Sequence, residues 1–214
     1  MEKIAFLGGN GLAIELYEYM KRDGIEIYGY YSPEPDSLSE WVDYLGDERI
    51  KFDPELSYVV ASGLISTRMK MIDFIRMNKL KPYTFISKLA SVSGIAKIGA
   101  GAQISPTAVI SGNPNIGEFV FMNSCSLIAH QSNIGENVVV GPGAKITGNC
   151  TIGNNVALGS NVALIPGTKI EDNAEISIGA IPKRLVKSGR FVKAPSSEVI
   201  DMGFVRESLF NDGK

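Results

Sequence analysis

The sequence predicts two folds in series: a small α/β unit on a parallel sheet, then a parallel β-helix of six-residue repeats. Up to about residue 90, short apolar runs alternate with helical stripes, as strand–helix–strand units of a parallel sheet do. From Val92 onward every sixth residue is aliphatic or Met, through Ile98, Ile104, Ile110 and so on to Ile176, fifteen positions without a break. The residue two before each is mostly small, as at Ala96, Ala102, Ala108, Ser126, Ser132 and Ala144.

The first unit reads in order. KIAFL (3–7) is a strand ending in GGNG, and Leu12 to Met20 is a helix with Leu12, Leu16, Tyr19 and Met20 on one face. IEIYGYY (25–31) alternates like a strand, and SPEPD (32–36) breaks regular structure. SYVVASG (57–63) is a further apolar strand ending in small residues. STRMKMIDFIRMNKL (66–80) reads as a helix capped by Ser66, and YTFIS (83–87) as a last strand. Ligands of such sheets sit beyond the carboxyl ends of the strands, here GGNG and ASG.

A six-residue unit holds one short strand and one turn, and cannot bury its apolar face alone. Three units make a triangular coil of eighteen residues, and fifteen units make about five coils stacked roughly 4.8 Å apart. Large aliphatics fill the prism and small residues occupy its corners. The expected division is 1–85, 86–195 and a polar tail, 196–214.

Composition narrows the function. Net charge is −2 and no Lys/Arg cluster occurs, so a nucleic-acid partner is not expected. No run approaches the roughly 20 apolar residues of a membrane span, and the start is too short for a signal-peptide core, so a cytoplasmic protein is expected. Cys125 and Cys150 read as free thiols. One histidine and two scattered cysteines give no metal-ligand spacing. His130, the only histidine, lies two residues after Ile128 and points out of the prism. Gly148 lies one coil further on the same face. On the residues alone, His130 is either a general base or a solvated side chain. The glycine loop 8–11 lacks the full dinucleotide fingerprint, because Ile14 takes the third glycine position and Tyr30–Tyr31–Ser32 end the second strand without an acid. NAD is therefore not expected, and the backbone N–H groups of the loop suit a phosphate, with Asn10, Gly11, Ser62 and Gly63 near it.

Four segments, FLGGNGLA, VVASGLISTR, LIAHQSNIGENVVVGPGAKITGNCTIG and ALGSNVALIPGTKI, resemble the sugar O-/N-acyltransferase family that includes NeuD and PglD. The resemblance covers roughly residues 1–195. It implies a Rossmann-like nucleotide-sugar unit, a left-handed β-helix, and a homotrimer with active sites between subunits. It implies acetyl-CoA as co-substrate, a nucleotide-activated sugar as acceptor and no metal. Carried over by position, it gives His130 as general base and Gly148 as donor of a backbone N–H to the thioester oxygen. Gly9, Asn10, Gly11, Ser62, Gly63, Arg68 and Gln131 fall on the acceptor side. Val139, Gly148, Ser160, Ile178, Gly179, Ala180 and Lys183 fall on the donor side; Lys183, Arg184 and Lys187 read either as contacts to the CoA phosphates or as a solvated basic stretch.

The sequence departs from the family at four points. Gln131 replaces the acid that follows the histidine, with Glu118 and Glu136 as substitutes by proximity in the repeat. Leu12 replaces a loop histidine, and Val139 replaces a histidine of the donor site. The acidic pair after the second strand is replaced by YSPEP. These departures keep open a second reading, a non-catalytic nucleotide-sugar binding or scaffold protein. A zinc β-helix needs several histidines per site, and a nucleotidyltransferase needs a larger nucleotide unit than about 85 residues. N-acetylation of a 4-amino-4,6-dideoxy sugar is favoured over O-acetylation, because an amine tolerates a weaker base.

Overall fold

The structure is a computed structural model that describes residues 2–194. The expected tail, 196–214, and the end of the segment 191–199 lie outside the described residues.

The first unit runs β1 (Ile4–Leu7), α1 (Gly11–Arg22), β2 (Gly29–Tyr31), β3 (Tyr44–Gly46), β4 (Ser57–Val60), α2 (Ile65–Met77) and β5 (Lys81–Pro82). The sheet is parallel, in the order β3-β2-β1-β4-β5. The chain order reverses at β1, which pairs with β2 on one side and β4 on the other. The loops leaving β1 and β4 therefore emerge side by side at the carboxyl edge. In α1, Ala13, Leu16 and Met20 are buried on one helical face, while Lys21 and Arg22 complement the carboxyl end of the helix dipole. In α2 the N-cap is Leu64, without a side-chain cap bond, and Ser66 lies inside the first turn. Of the stretch 25–31 only Gly29–Tyr31 is a strand.

Phe85–Ile86 departs from the sequence expectation. It closes no part of the first sheet. It pairs with Gln103–Ile104 as the first strand of the β-helix, and Lys81–Pro82 pairs with β4 instead. Pro82 lacks an N–H and is tolerated because β5 is an edge strand.

The β-helix contains eighteen two-residue strands, from Phe85–Ile86 to Phe191–Val192. They form three parallel sheets of seven, five and six strands, the faces of a triangular prism. Face one carries Ile104, Met122 and Val140; face two carries Ile110, Ile128 and Ile146; face three carries Ile116, Ile134 and Ile152. Each strand pairs with the one eighteen residues away, as Ile110 does with Ile128. The inward aliphatics and the small corner residues Ala108, Ala144 and Cys150 form one buried core. Each fully buried aliphatic is worth about 1.5–3 kcal/mol against exposure.

The turns share a requirement the apolar repeat did not reveal. At twelve of the fifteen repeat positions the residue three before takes a positive φ, as at Gly101, Asn137, Gly143, Asn149, Asn155, Asn161, Gly167 and Asn173. Gly and Asn enter this left-handed region at least cost. The period breaks after Ile176, where a longer connection precedes Leu185–Val186. The exposed Ile178 and Ile181 lie in that connection.

The two units share a core. Ala13, Leu16 and Met20 of α1 join Phe6, Tyr30 and Val59 against Phe85, Phe121 and Val139, which stand outward on face one. The first unit is thereby fixed on one face of the prism.

Candidate functional site

His130 sits at the corner between faces two and three, two residues beyond Ile128, and is exposed. Glycines flank it in both stacking directions. A Cβ placed on Gly112, one coil before, would lie 2.7 Å from His130 Cβ; one on Gly148, one coil on, would lie 2.6 Å from its Nε2 and 2.4 Å from its Cε1. The imidazole therefore lies over the Gly148 backbone in a slot that only glycine leaves open. Among the described residues no acceptor meets the Gly148 N–H. His130 Nδ1 lies 3.2 Å from Gln131 Oε1, and the Gln131 N–H donates to Asn113 Oδ1 at 3.2 Å.

Glu118 and Glu136 do not reach the histidine. They lie at another corner, between faces three and one, where Arg76 of α2 donates to each at 2.7 Å. Gln131 is thus the side chain bonded to the His130 ring among the described residues.

A groove of about 540 Å³ lies on face one, above the area the first unit covers. Leu12 and Glu15 of α1 and Gly63 form one wall; Val139, Ala157 and Glu175 form the floor; Ser160, Ile178 and Phe191 form the rim. Val139, Ser160, Ile178 and Gly63 thus share one cavity, whose lining is mostly apolar, with Glu15 and Glu175 as its charged members. Gly179 is a left-handed turn residue (φ +69°), its N–H donating to Ser160 O at 2.8 Å. Ala180 is corrected: its side chain is buried in the prism core and does not face the groove. Lys183 and Arg184 are exposed and outside the groove lining, while Lys187 is paired with Glu171 at 3.2 Å.

At the carboxyl edge of the first sheet, Asn10, Gly11 and Gly63 are exposed. Asn10 caps α1 through its backbone and has no side-chain cap bond, so its amide is free for other partners. Ser62 is buried, and its Oγ accepts the Leu64 N–H at 3.3 Å. Gly9 is not open. A Cβ there would lie 2.4 Å from both carboxylate oxygens of Asp36 and 2.5 Å from the Tyr30 ring. The strand β2 ends without an acid, but the Asp36 carboxylate returns over the glycine loop. Asp36 N donates to the Tyr30 hydroxyl at 3.1 Å, and Asp36 Oδ1 accepts the Leu38 N–H at 3.1 Å. Its signal was available as an Asx cap, Asp36 two residues before Leu38.

Arg68 is a correction. The resemblance puts it on the acceptor side, but its side chain is fully buried and closed to a ligand. Its guanidinium donates to Asn137 Oδ1 and Ser62 O at 2.9 Å and to Phe119 O at 2.5 Å. Burial pulls its pKa down to about 9, which leaves it protonated near neutrality.

His130 and the groove are on different parts of the prism. The groove occupies face one and the corner toward face two; His130 lies a full face away. One chain does not bring them together. Among the described residues no three His, Cys, Asp or Glu side chains gather as a metal site, and no helix is long and apolar enough to cross a membrane.

No family model and no curated protein matches the sequence. Solved structures do match in fold. The acetyltransferase domain of PglB from Neisseria gonorrhoeae, in complex with acetyl coenzyme A, is 21% identical, with a TM-score of 0.83 over 89% of this chain and 95% of that one. PerB from Caulobacter crescentus, in complex with CoA and GDP-perosamine, is 22% identical, with a TM-score of 0.77 over 90% and 92%. WeeI from Acinetobacter baumannii is 20% identical, with a TM-score of 0.80 over 90% and 97%. The chain shares the fold of these proteins over nearly its whole described length.

Proposed function

We propose that this protein transfers an acetyl group from acetyl-CoA to a nucleotide-linked sugar. The observation that carries the reading is the His130 imidazole lying over Gly148, a base beside a backbone N–H with no internal acceptor. The acceptor's nitrogen or oxygen attacks the thioester carbonyl as His130 Nε2 takes its proton. The Gly148 N–H donates to the carbonyl oxygen as it gains negative charge. The tetrahedral adduct then expels the CoA thiolate, which recovers the proton. No enzyme-bound acyl group forms.

The groove suits the donor. Val139 and Ala157 on its floor and Leu12 on its wall offer apolar contact to a pantetheine arm, and exposed Lys183 and Arg184 are available for phosphates. The acceptor's nucleotide falls to the Rossmann-like unit, 1–85, whose carboxyl-edge loops present Asn10, Gly11 and Gly63 to phosphates. Asp36 offers carboxylate oxygens to ribose hydroxyls there. The left-handed β-helix carries the chemistry. Because His130 and the groove lie a face apart, the complete site joins the His130 corner of one subunit to the groove of another, as in a homotrimer. Acetyl-CoA and activated sugars place the reaction in the cytoplasm.

An amine acceptor is favoured over a hydroxyl, and a 4-amino-4,6-dideoxy sugar over others, because Gln131 gives the base no counter-charge. The fold likeness to a perosamine N-acetyltransferase supports the same choice. The test is CoA release from acetyl-CoA against a panel of UDP-, dTDP-, GDP- and CMP-linked sugars, for wild type and His130→Ala. Acceptor-dependent release lost in the variant is the expected result. The departures at Leu12, Gln131 and Val139 favour a second reading, a nucleotide-sugar binding protein. Sugar-nucleotide binding with no CoA release from any acceptor selects it.

A further inference from the structure

The Gly148 N–H and the Thr147 carbonyl belong to one peptide group. In a trans peptide the two point in opposite directions, so whatever holds the carbonyl aims the N–H. The Thr147 oxygen is held by Ser132, whose Oγ–H donates to it at 3.0 Å from a side chain that is 1% exposed. The direction of that bond is fixed. The Cys150 N–H donates to the same Oγ at 3.2 Å, and a carbonyl only accepts, so the hydroxyl proton goes to Thr147 O. One side chain thus bridges both ends of the turn 147–150. The far side of Gly148 is held as well: Asn149 N–H donates to His130 O at 3.0 Å, and Gly167 N–H to Gly148 O at 3.1 Å.

This bond is not the usual one for its place in the repeat. Ser132, Cys150 and Thr168 occupy one corner in successive coils, two residues before Ile134, Ile152 and Ile170. Thr168, like Ser126 at another corner, turns back on its own coil to the carbonyl three residues earlier, at 2.7 and 2.6 Å respectively. Cys150 reaches the next coil, but with a thiol 3.6 Å from Ile165 O. Among the described residues, Ser132 is the hydroxyl at this repeat position that crosses between coils, and the carbonyl it reaches is the one before Gly148.

We infer, resting on the role proposed for Gly148, that Ser132 is a positioning residue: its hydroxyl anchors the 147–148 carbonyl inward and turns the Gly148 N–H outward under the His130 ring. A hydrogen bond accepted by a peptide oxygen also polarises the group and strengthens its N–H as a donor. That N–H meets the charge that develops on the thioester oxygen, so a loosened or less polar peptide costs rate rather than substrate affinity.

Two variants and a control test this. Ser132→Ala removes the donor. Ser132→Cys keeps the shape, one that Cys150 already presents at this corner, and leaves a weak S–H donor, so it decides the matter if Ser132→Ala does not fold. Thr168→Val removes a buried hydroxyl from the same corner, two coils on, without touching the 147–148 peptide. Without any substrate, the Thr147 carbonyl 13C and Gly148 15N signals of the labelled full chain are expected to move upfield in both Ser132 variants and to stay in place in Thr168→Val. In the acetyl-transfer assay the Ser132 variants are expected to lower kcat about tenfold with little change in the KM for acetyl-CoA. Thr168→Val is expected to keep kcat while its melting temperature falls about as far as that of Ser132→Ala. Unmoved signals, an unchanged kcat in a folded Ser132 variant, or an equal kcat loss in Thr168→Val overturns the inference. Moved signals in a protein that releases no CoA support the anchoring and overturn the acyl-transfer reading instead.

Discussion

Arg68 donates its Nε–H to Asn137 Oδ1 at 2.9 Å with both residues fully buried. The bond joins helix α2 of the first unit to a corner of the prism. The same guanidinium holds the carbonyl of Ser62, in the loop that ends β4, and the carbonyl of Phe119. The loop after β4 and the β-helix are thus tied through one cation with no carboxylate partner among the described residues. Asn137 continues the tie: its Nδ2 donates to Asn155 Oδ1 at 2.9 Å on the next coil.

Removing that cation leaves several carbonyls unpaired in a dry interface. Arg68→Ala is expected to cost about 3–5 kcal/mol, read as a lower urea midpoint. The exposed Arg76 link is expected to be worth about 1 kcal/mol or less, so Arg76→Ala serves as the control. Equal midpoints for the two variants would show that the buried network carries no special weight.

Gly148→Ala tests the slot under His130. The added methyl would sit 2.6 Å from His130 Nε2 and must displace the ring. Gly148 is not among the positive-φ residues, so the backbone itself accepts alanine. The expected outcome is a loss of kcat of about a hundredfold or more with a melting temperature near wild type. Retained turnover would remove Gly148, and the ring position above it, from the mechanism.

Asp36→Asn tests the acidic residue over the glycine loop. Titration calorimetry with UDP and GDP is expected to show affinity lowered about tenfold, while binding of acetyl-CoA is unchanged. If ribose hydroxyls are the partners, dTDP loses less than UDP in the same variant. Equal affinities for wild type and variant would assign Asp36 to capping alone.

Glu171 supplies a pH dependence. Its carboxylate is held below the ordinary value of 4.5, first by the Ser188 N–H, then by Lys187. A depressed folded value means the contribution is present above the unfolded value and fades as pH falls through the folded one. Glu171→Gln is therefore expected to lower the melting temperature near neutrality, with the gap to wild type closing at acid pH. A gap that persists there would show that the carboxylate charge is not what holds the 171–188 connection.

Much of the fold was legible because one constraint repeats. All fifteen positions from Val92 to Ile176 are the second residue of a strand. Phe85–Ile86 escaped because the first unit covers it: Phe85 packs outward against α1 and reads like an ordinary core residue. Among site residues, His130 stood out by being alone, whereas Asp36 did not, since its approach to Gly9 depends on the path of a loop. Arg68 misled for the opposite reason. Its place in the sequence resembles a ligand contact, and only packing buries it.

The sequence by itself determined the period, the prism and the corner that carries His130, since a six-residue aliphatic repeat leaves stacked coils as the way to bury its apolar face. Tertiary structure decided what that repeat is blind to. It seated the first unit on face one through α1, spent Arg68 inside the interface, committed Glu118 and Glu136 to Arg76, and left Gln131 as the ring's partner. Those choices depend on contacts between residues far apart in the chain, which local periodicity does not encode.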